Sequence, residues 1–493
     1  MSLRIFARRA LIYTHRWSGI VLGALFITWF VSGVVLMYAQ MPRLSRAERL
    51  ARLPRLDFRT ASATPLDAAA AVGYGIRTLR LGMFAGRPVY RLAGAEGSAT
   101  VFADDGSELD PVNATAALAE ARTFAPEANA TIRYDGLVEQ PDQWTLEIAR
   151  TLPLHRVALG DPADTRLYFS ERSGEIVMKT TAAERRWAYP GAILHWLYLT
   201  PLRRNAPAWA QIVIWASIAG TAMALTGLVW GIWRFSPQYH YRLKRQRARS
   251  PYAGWMHWHH YAGLIAGLTT VTWVFSGLLS MDPWDWHPST SPTRAQREAL
   301  IGGSLRLNDV SVAALQQALA GLDGAREAEL VQFRGSLFLA DAHHLISLAD
   351  GRPVSSVDGD EIVQAVTKAG GATPVRDIVR LDRYDAYYYD RDGELPLPVV
   401  RVRYGDPQQT WLYVDAVRGT PLRKEERLTR LNRWLYHGLH SLDFPFLYYR
   451  RPLWDIVVIA LSAGGLIVSV TTIVPAFRRF RRLVVRLKPD QQS

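Results

Sequence analysis

The chain contains no cysteine. That absence excludes disulfides, thiolate metal sites, iron–sulfur clusters and covalently attached c-type haem. Any metal must then be held by histidine, carboxylate, methionine or a pre-formed cofactor. Four long stretches lack Asp, Glu, Lys and Arg altogether: 18–39, 206–233, 251–281 and 456–477. About 20 apolar residues suffice to cross a bilayer, so each reads as a transmembrane helix. No GxGxxG in a strand–helix setting and no phosphate-binding loop is present. Nor does a Ser/His/Asp or metal-hydrolase arrangement stand out.

What is present is basic charge, in particular places. The net charge of +14 is concentrated beside the apolar stretches. Arg4, Arg8 and Arg9 precede the first. Arg234, Arg242, Lys244, Arg245, Arg247 and Arg249 fill the loop between the second and third. Arg478, Arg479, Arg481, Arg482, Arg486 and Lys488 follow the fourth. This placement argues against nucleic acid as a partner and for a lipid bilayer. Lys and Arg in short loops mark the cytoplasmic side, so both termini and the middle loop are expected inside. The long connections are expected outside. A further run, Arg43, Arg46, Arg49, Arg52, Arg55 and Arg59, reads as an interfacial helix up to Pro54, contacting lipid headgroups. The basic start of the chain suits a signal peptide, but the first apolar run is too long and recurs inside the chain, so no cleavage is expected.

The sequence repeats. His15 through Met37 aligns with His259 through Met281 at a constant offset of 244, carrying Gly19/Gly263, Gly23/Gly267, Trp29/Trp273, Ser32/Ser276 and Gly33/Gly277. At an offset of 245, Gly160-Asp-Pro162 matches Gly405-Asp-Pro407, and His195, Pro207, Trp209 and Gly220 match His440, Pro452, Trp454 and Gly465. The expected fold is an α-helical membrane protein of four transmembrane helices in two tandem parallel repeats, related by an axis along the membrane normal. Each repeat would carry an extracytoplasmic α+β domain. The boundaries run 1–40 for the N-terminus and first helix, 41–186 for the first outer domain, 187–235 for an interfacial segment and second helix, and 236–250 for the basic loop. They continue with 251–282 for the third helix, 283–430 for the second outer domain, 431–477 for the second interfacial segment and fourth helix, and 478–493 for the basic tail. Within the outer domains, periodicity predicts helices over 65–80, 114–124, 311–320 and 360–369. A hairpin is predicted over 87–92 and 99–103, and strands over 165–170, 399–404 and 410–414.

Histidines gather at the ends of the apolar stretches. His15 and His259 open the first helix of each repeat, and His195 and His440 precede the second. Gly19 and Gly23 lie at i+4 and i+8 from His15, on the same helical face, and Gly263 and Gly267 stand likewise to His259. A histidine above a smooth glycine track suits a flat macrocycle, with the imidazole as axial iron ligand. Spaced glycines are also plain helix-packing motifs, and interfacial His and Trp are ordinary belt residues. The two copies in register favour a bis-histidine haem b near each face. His240, His257 and His260 on the inner side, and His287 and His437 on the outer, remain alternative ligands. Trp29 and Trp273 fall near the middle of the path, where packing is the default role.

With His15-Arg-Trp-Ser-Gly19, Ser32-Gly33, Leu194-His195, His259 and Leu439-His440 in hand, the chain resembles the PepSY-associated transmembrane family. Asp142-Gln-Trp-Thr145 and Asp385-Ala-Tyr-Tyr388 add to the resemblance. It is similar to iron-regulated proteins of the bacterial inner membrane, some of which act as ferric-siderophore reductases with two b haems. The resemblance implies PepSY-like outer domains in the periplasm and assigns the axial ligands to His15, His195, His259 and His440. The expected function is electron transfer to a ferric siderophore or another periplasmic Fe(III) chelate, an oxidoreductase activity. The donor would be a separate cytoplasmic reductase or a membrane quinol. Tyr384, Tyr387, Tyr388 and Tyr389 are candidates for lining the acceptor site or for a packed strand face. His343-His344 reads as surface. A siderophore transport component, or a non-catalytic scaffold or sensor regulating a periplasmic partner, are the alternatives.

Overall fold

The structure, a computed structural model, describes residues 3–128, 131–243, 246–390 and 393–487. Of the basic residues above, Lys244, Arg245 and Lys488 lie outside the described residues, as do the side chains of Arg4, Arg479, Arg481, Arg482 and Arg486. The chain divides into two compact units. One comprises Met1–Met41, Glu184–His287 and Leu431–Ser493, and the other Pro42–Ala183 and Pro288–Arg430.

The first unit is built on four long helices: α1 (Leu3–Leu36), α2 (Ala206–Arg234), α3 (Trp255–Leu279) and α4 (Leu453–Leu487). Each contains a stretch long and apolar enough to cross a membrane. Asn205 starts α2, its side chain accepting from the Ala208 N–H at 3.2 Å, with Pro207 fitting a first turn that needs no donor. Hydroxyls inside the helices return to their own carbonyls, as Thr28 to Ala24 and Thr226 to Ala222 do. Those hydroxyls are thereby satisfied within their own helix. α1 packs along α2 and α4, and α3 packs along the same two, so α1 and α3 face each other across the bundle. Phe26, Phe30, Met223 and Val274 fill its interior. Gly220 and Gly465 let α2 and α4 close onto Phe26 and Phe30, since a Cβ at either glycine would run into the ring.

The second unit is rich in antiparallel β-structure. Its largest sheet has seven strands, in the order Pro353–Val354, Leu345–Ser347, Ser336–Ala340, Ala328–Phe333, Ile76–Phe84, Arg87–Gly94 and Ser98–Phe102. Two four-stranded sheets follow, Arg133–Val138 through Ile176–Thr180 and Val375–Leu381 through Pro421–Glu425. The expectation of two separate α+β domains needs correction. Arg80 pairs with Glu329 and Leu81 with Ala328, so strands from both halves of the chain make one sheet. An exposed strand edge invites pairing, and here each half covers the other's. The shared core, with Leu79, Leu81, Leu92, Leu330 and Leu339, is contributed by both halves.

The predicted helix over 65–80 is also too long. Thr64 and Asp67 form a capping box at its start, and Gly73, at φ +77°, ends it. The alternating residues beyond form the strand Ile76–Phe84. The helices over 114–124, 311–320 and 360–369 and the strands over 399–404 and 410–414 are present within a residue or so.

The arginine run forms only a short helix, Arg46–Arg52. Of the run, Arg49 turns inward to carboxylates, while Arg43, Arg46, Arg52, Arg55 and Arg59 stay exposed. Arg49 meets Glu327 at 2.9 Å and Glu175 at 3.8 Å, and Arg52 meets Glu127 at 2.5 Å. Arg80 bridges the same pair, at 2.8 Å to Glu327 and 3.1 Å to Glu175, and Arg91 reaches Glu175 at 3.5 Å. Burial alone would raise the Glu175 carboxyl. The charges of Arg91, Arg80 and Arg49 outweigh it and hold Glu175 below the ordinary glutamate range.

A carboxylate whose folded pKa is depressed stabilises the fold above its unfolded pKa and loses that contribution as pH falls through the folded value. The thermal stability of this unit should therefore decline as the pH drops below about 4.5. Glu175→Gln should lower stability at neutral pH by about 3 kcal/mol, because it strands buried guanidinium charge, and should flatten that acid limb. Unfolding curves from pH 7 to pH 3 check both; an unchanged acid limb in the variant would contradict the network's role.

Candidate functional site: two histidine pairs

Two of the long helices, α1 and α3, each bring a histidine to the bundle by a bond that holds one ring nitrogen. His15 Nδ1, on α1, lies 3.0 Å from the Met223 carbonyl of α2. His259 Nδ1, on α3, lies 3.2 Å from the Val468 carbonyl of α4 and 3.2 and 3.3 Å from the hydroxyls of Thr471 and Thr472. A carbonyl only accepts, so Nδ1 carries the proton in both rings, and Nε2 keeps its lone pair. That is the tautomer a metal ligand needs. The two rings face each other with centroids 5.9 Å apart and planes inclined by 32°.

His195 and His440 are presented by a different device. Each sits in a one-turn helix, Leu194–Trp196 or Leu439–Ser441, that follows a π-helical turn, Tyr189–Ile193 or Arg433–Gly438. The next residue, Leu197 or Leu442, is left-handed, at φ +54° and +49°. That conformation costs a leucine on the order of 1–2 kcal/mol. It turns the chain so that the indoles of Trp209 and Trp454 donate to the carbonyls of Trp196 and Ser441, each at 2.9 Å. His195 Nδ1 then lies 3.1 Å from the Ser32 hydroxyl, and His440 Nδ1 lies 3.1 Å from both the Ser276 hydroxyl and the Trp273 carbonyl. Ser32 and Ser276 each give their own hydrogen to a helix carbonyl, so their oxygens accept from the imidazole. These two rings also face each other, with centroids 6.0 Å apart and planes inclined by 58°.

Two imidazoles bound on opposite sides of one metal, with bonds of about 2 Å each, place their centroids roughly 6 Å apart. Both pairs have that separation. His15 and the Ser32 partner of His195 are 17 positions apart on α1, roughly 26 Å along a helix. The pairs therefore lie near opposite ends of the bundle. Between them stand Phe26, Phe30, Trp29 and Trp273, with Phe30 and Trp273 6.0 Å apart. The Trp273 indole N–H is buried without an acceptor among the described residues.

A family model described as the PepSY-associated TM region matches residues 12–320, more than half of the chain. The chain belongs to this family. No curated protein matches it. The part matched to the PepSY-associated TM region contains His15, His195 and His259 and ends before His440, which reaches the site by its own geometry.

The alternative histidines of this PepSY-associated TM protein stand elsewhere. His260 has both nitrogens engaged, Nδ1 with the Ser250 hydroxyl and Nε2 with the Gly231 carbonyl, each at 2.8 Å. It fastens the end of α2 to α3 and has no lone pair to offer. His257 packs on Tyr261, His437 on Tyr436, and His240 against Tyr241. His287 lies 2.9 Å from the Asn432 amide and 3.4 Å from Asp282. His343 and His344 are exposed in a turn around Asp341.

The glycines divide. A Cβ at Gly23 would meet Ile473 at 3.3 Å, and one at Gly267 would meet Leu228 at 3.1 Å, so both serve helix packing. Gly19 has Met223 and Thr472 at 3.6 and 3.7 Å, and Gly263 has nothing within 4 Å. The closest approaches to the imidazoles come from other glycines. Gly33 and Gly277 lie against the rings of His195 and His440, where a Cβ would stand 3.3 and 3.4 Å away, and a Cβ at Gly227 would overlap the His15 ring. Gly33 and Gly277 are visible in the repeat. Gly227 is not, because Thr472 occupies its place in the second half. Of the tyrosines at 384–389, Tyr384, Tyr387 and Tyr388 pack into one apolar cluster. Tyr388 is fully buried and stacks on Tyr413, and Tyr384 and Tyr388 donate to the carbonyls of Leu395 and Pro396.

Gly227→Ala should displace the His15 ring and destabilise the bundle by about 1–3 kcal/mol through overpacking. Gly263→Ala should be neutral, or stabilising by about 0.5–1 kcal/mol from helix propensity. Thermal unfolding of the two variants in one detergent checks the contrast, and equal effects would contradict the packing described.

Proposed function

We propose that this protein is a di-haem b electron-transfer protein of the bacterial inner membrane that reduces a periplasmic Fe(III) chelate, a ferric siderophore in the first instance. One observation carries the reading: two imidazole pairs near opposite ends of a membrane bundle, each with its centroids about 6 Å apart and its Nδ1 atoms held. Among the described residues, no group of three or more His, Cys, Asp or Glu could hold a bare metal ion. A two-imidazole site suits a metal that brings its other ligands with it, as iron in a porphyrin does. The buried Trp273 N–H and the glycines under three of the rings fit an interior shaped for more than side-chain packing.

Haem, when bound, would supply the one-electron carrier that the amino acids here lack. His15 and His259 would hold one, and His195 and His440 the other. The residues around them do the rest. Carbonyls and hydroxyls at Nδ1 fix the tautomer and make the ring a stronger donor. Phe26, Phe30 and Trp273 keep water out between the pairs, and burial of that kind sets a redox potential. Reduction of the acceptor adds one electron to chelated Fe(III) and weakens the chelate's hold on the iron.

The same reading takes the chain as a duplication and orients it. Arg8 and Arg234 both lie over the Trp230 ring, which supports placing that basic end, with His15 and His259, at the cytoplasmic face. His195 and His440 then belong to the outer face, and the β-rich unit to the periplasm. A quinol or a cytoplasmic reductase is the donor.

Detergent-purified protein should be red, and a pyridine haemochrome assay should return b-type haem. His15→Ala or His259→Ala should roughly halve the haem-to-protein ratio, and so should His195→Ala or His440→Ala, while a variant from each pair combined should abolish it. Colourless protein after haem-sufficient expression, or ratios unmoved by these variants, would overturn the reading.

A further inference from the structure

The two outer-type histidines are carried by matching turns, but the turns are not held alike. At the offset of 245 that relates His195 to His440, Ala188 corresponds to Arg433 and Tyr198 to Asp443. Arg433 and Asp443 are both nearly fully buried, with side-chain exposures of 4% and 3%, and their charged atoms lie 3.5 Å apart. Arg433 Nη2 also donates to the Asp443 carbonyl at 2.7 Å, and the Asp443 N–H donates to the His437 carbonyl at 3.3 Å. The guanidinium lies 4.4 Å from the Trp434 ring, and Trp434 stacks on Phe444. These contacts close residues 433–444 into a loop, and His440 lies inside it.

The fold does not require this charge pair. The first half makes the same π-helical turn, the same one-turn helix and the same left-handed leucine with Ala188, fully buried, and Tyr198, whose N–H bonds to the Ile193 carbonyl at 2.8 Å. Removing two charges from water is costly, and an apolar pair of similar volume is often as stable. A buried ion pair in one of two matching turns therefore points to a task that the turn itself does not have.

Building on the proposed function, we propose that Arg433 and Asp443 are positioning residues for His440. They fix its imidazole against Trp273 and Ser276 more tightly than His195 is fixed in the other turn. Arg433 Nη2 reaches both the carbonyl and the carboxylate of Asp443, and a charge-assisted contact of this kind holds the loop more firmly than a single neutral hydrogen bond does. The outer pair is then asymmetric, with His440 as the fixed partner and His195 as the compliant one.

The test transplants the first-half pair: Arg433→Ala with Asp443→Tyr. Because that pair supports the same turn at 188–198, the variant should fold and keep its haem. Reduced wild-type protein, with every iron six-coordinate, should not bind carbon monoxide. In a His15→Ala background, which retains the outer haem, the transplant should make most of the remaining haem reactive to carbon monoxide. In a His195→Ala background, which retains the inner haem, it should change nothing. Arg433→Lys, which keeps the charge and loses the planar guanidinium, should give an intermediate reactivity. Unreactive outer haem in the folded transplant would overturn the clamp, and so would equal reactivity in both backgrounds. Wild-type protein that binds no haem would overturn the underlying reading and the clamp with it, and that outcome is visible before any variant is made.

Discussion

A hydrogen bond from imidazole Nδ1 to an oxygen of the bundle is the constraint on which the site depends. It occurs at His15, His259, His195 and His440, with Met223, Val468, Ser32 and Ser276 as the acceptors. Each such bond fixes a ring plane, selects a tautomer and directs Nε2 away from the helix that holds it. Because α1 and α3 face each other across α2 and α4, the four fixed rings meet as two pairs. The left-handed Leu197 and Leu442, the donating Trp209 and Trp454, and the glycines beneath the rings all serve that placement.

The four spans and the four histidines were legible in the sequence because their signals are local or repeated. An uncharged stretch needs no partner to be recognised, and a residue that recurs in register draws attention without a structure. What was hidden depends on the chain meeting itself. Backbone carbonyls carry no sequence identity, so Met223 and Val468 could not be singled out. Gly227 lies against His15 only because α2 crosses α1 at that level. The glycine track below His15 was visible, but its role was not, since Gly23 and Gly267 proved to face Ile473 and Leu228.

The β-rich unit repeats the lesson on a larger scale. Alternation located its strands, but not that Ile76–Phe84 would pair with Ala328–Phe333, some 250 positions away. The two expected domains therefore share one seven-stranded sheet and the core cluster beneath it. The arginine run shows what charge patterning leaves out. Three-to-four spacing marked an exposed basic face, but it did not set apart Arg49, which turns inward to Glu327 and Glu175. A partner that distant in sequence leaves no mark near the arginine.

The account stands on the claim that each imidazole pair closes on one iron. Low-temperature electron paramagnetic resonance of the oxidised, purified protein addresses it directly. Two overlapping low-spin ferric signals of bis-imidazole type, one lost with each pair of histidines, are predicted. A high-spin spectrum, or no haem signal from protein expressed with ample haem, would contradict it.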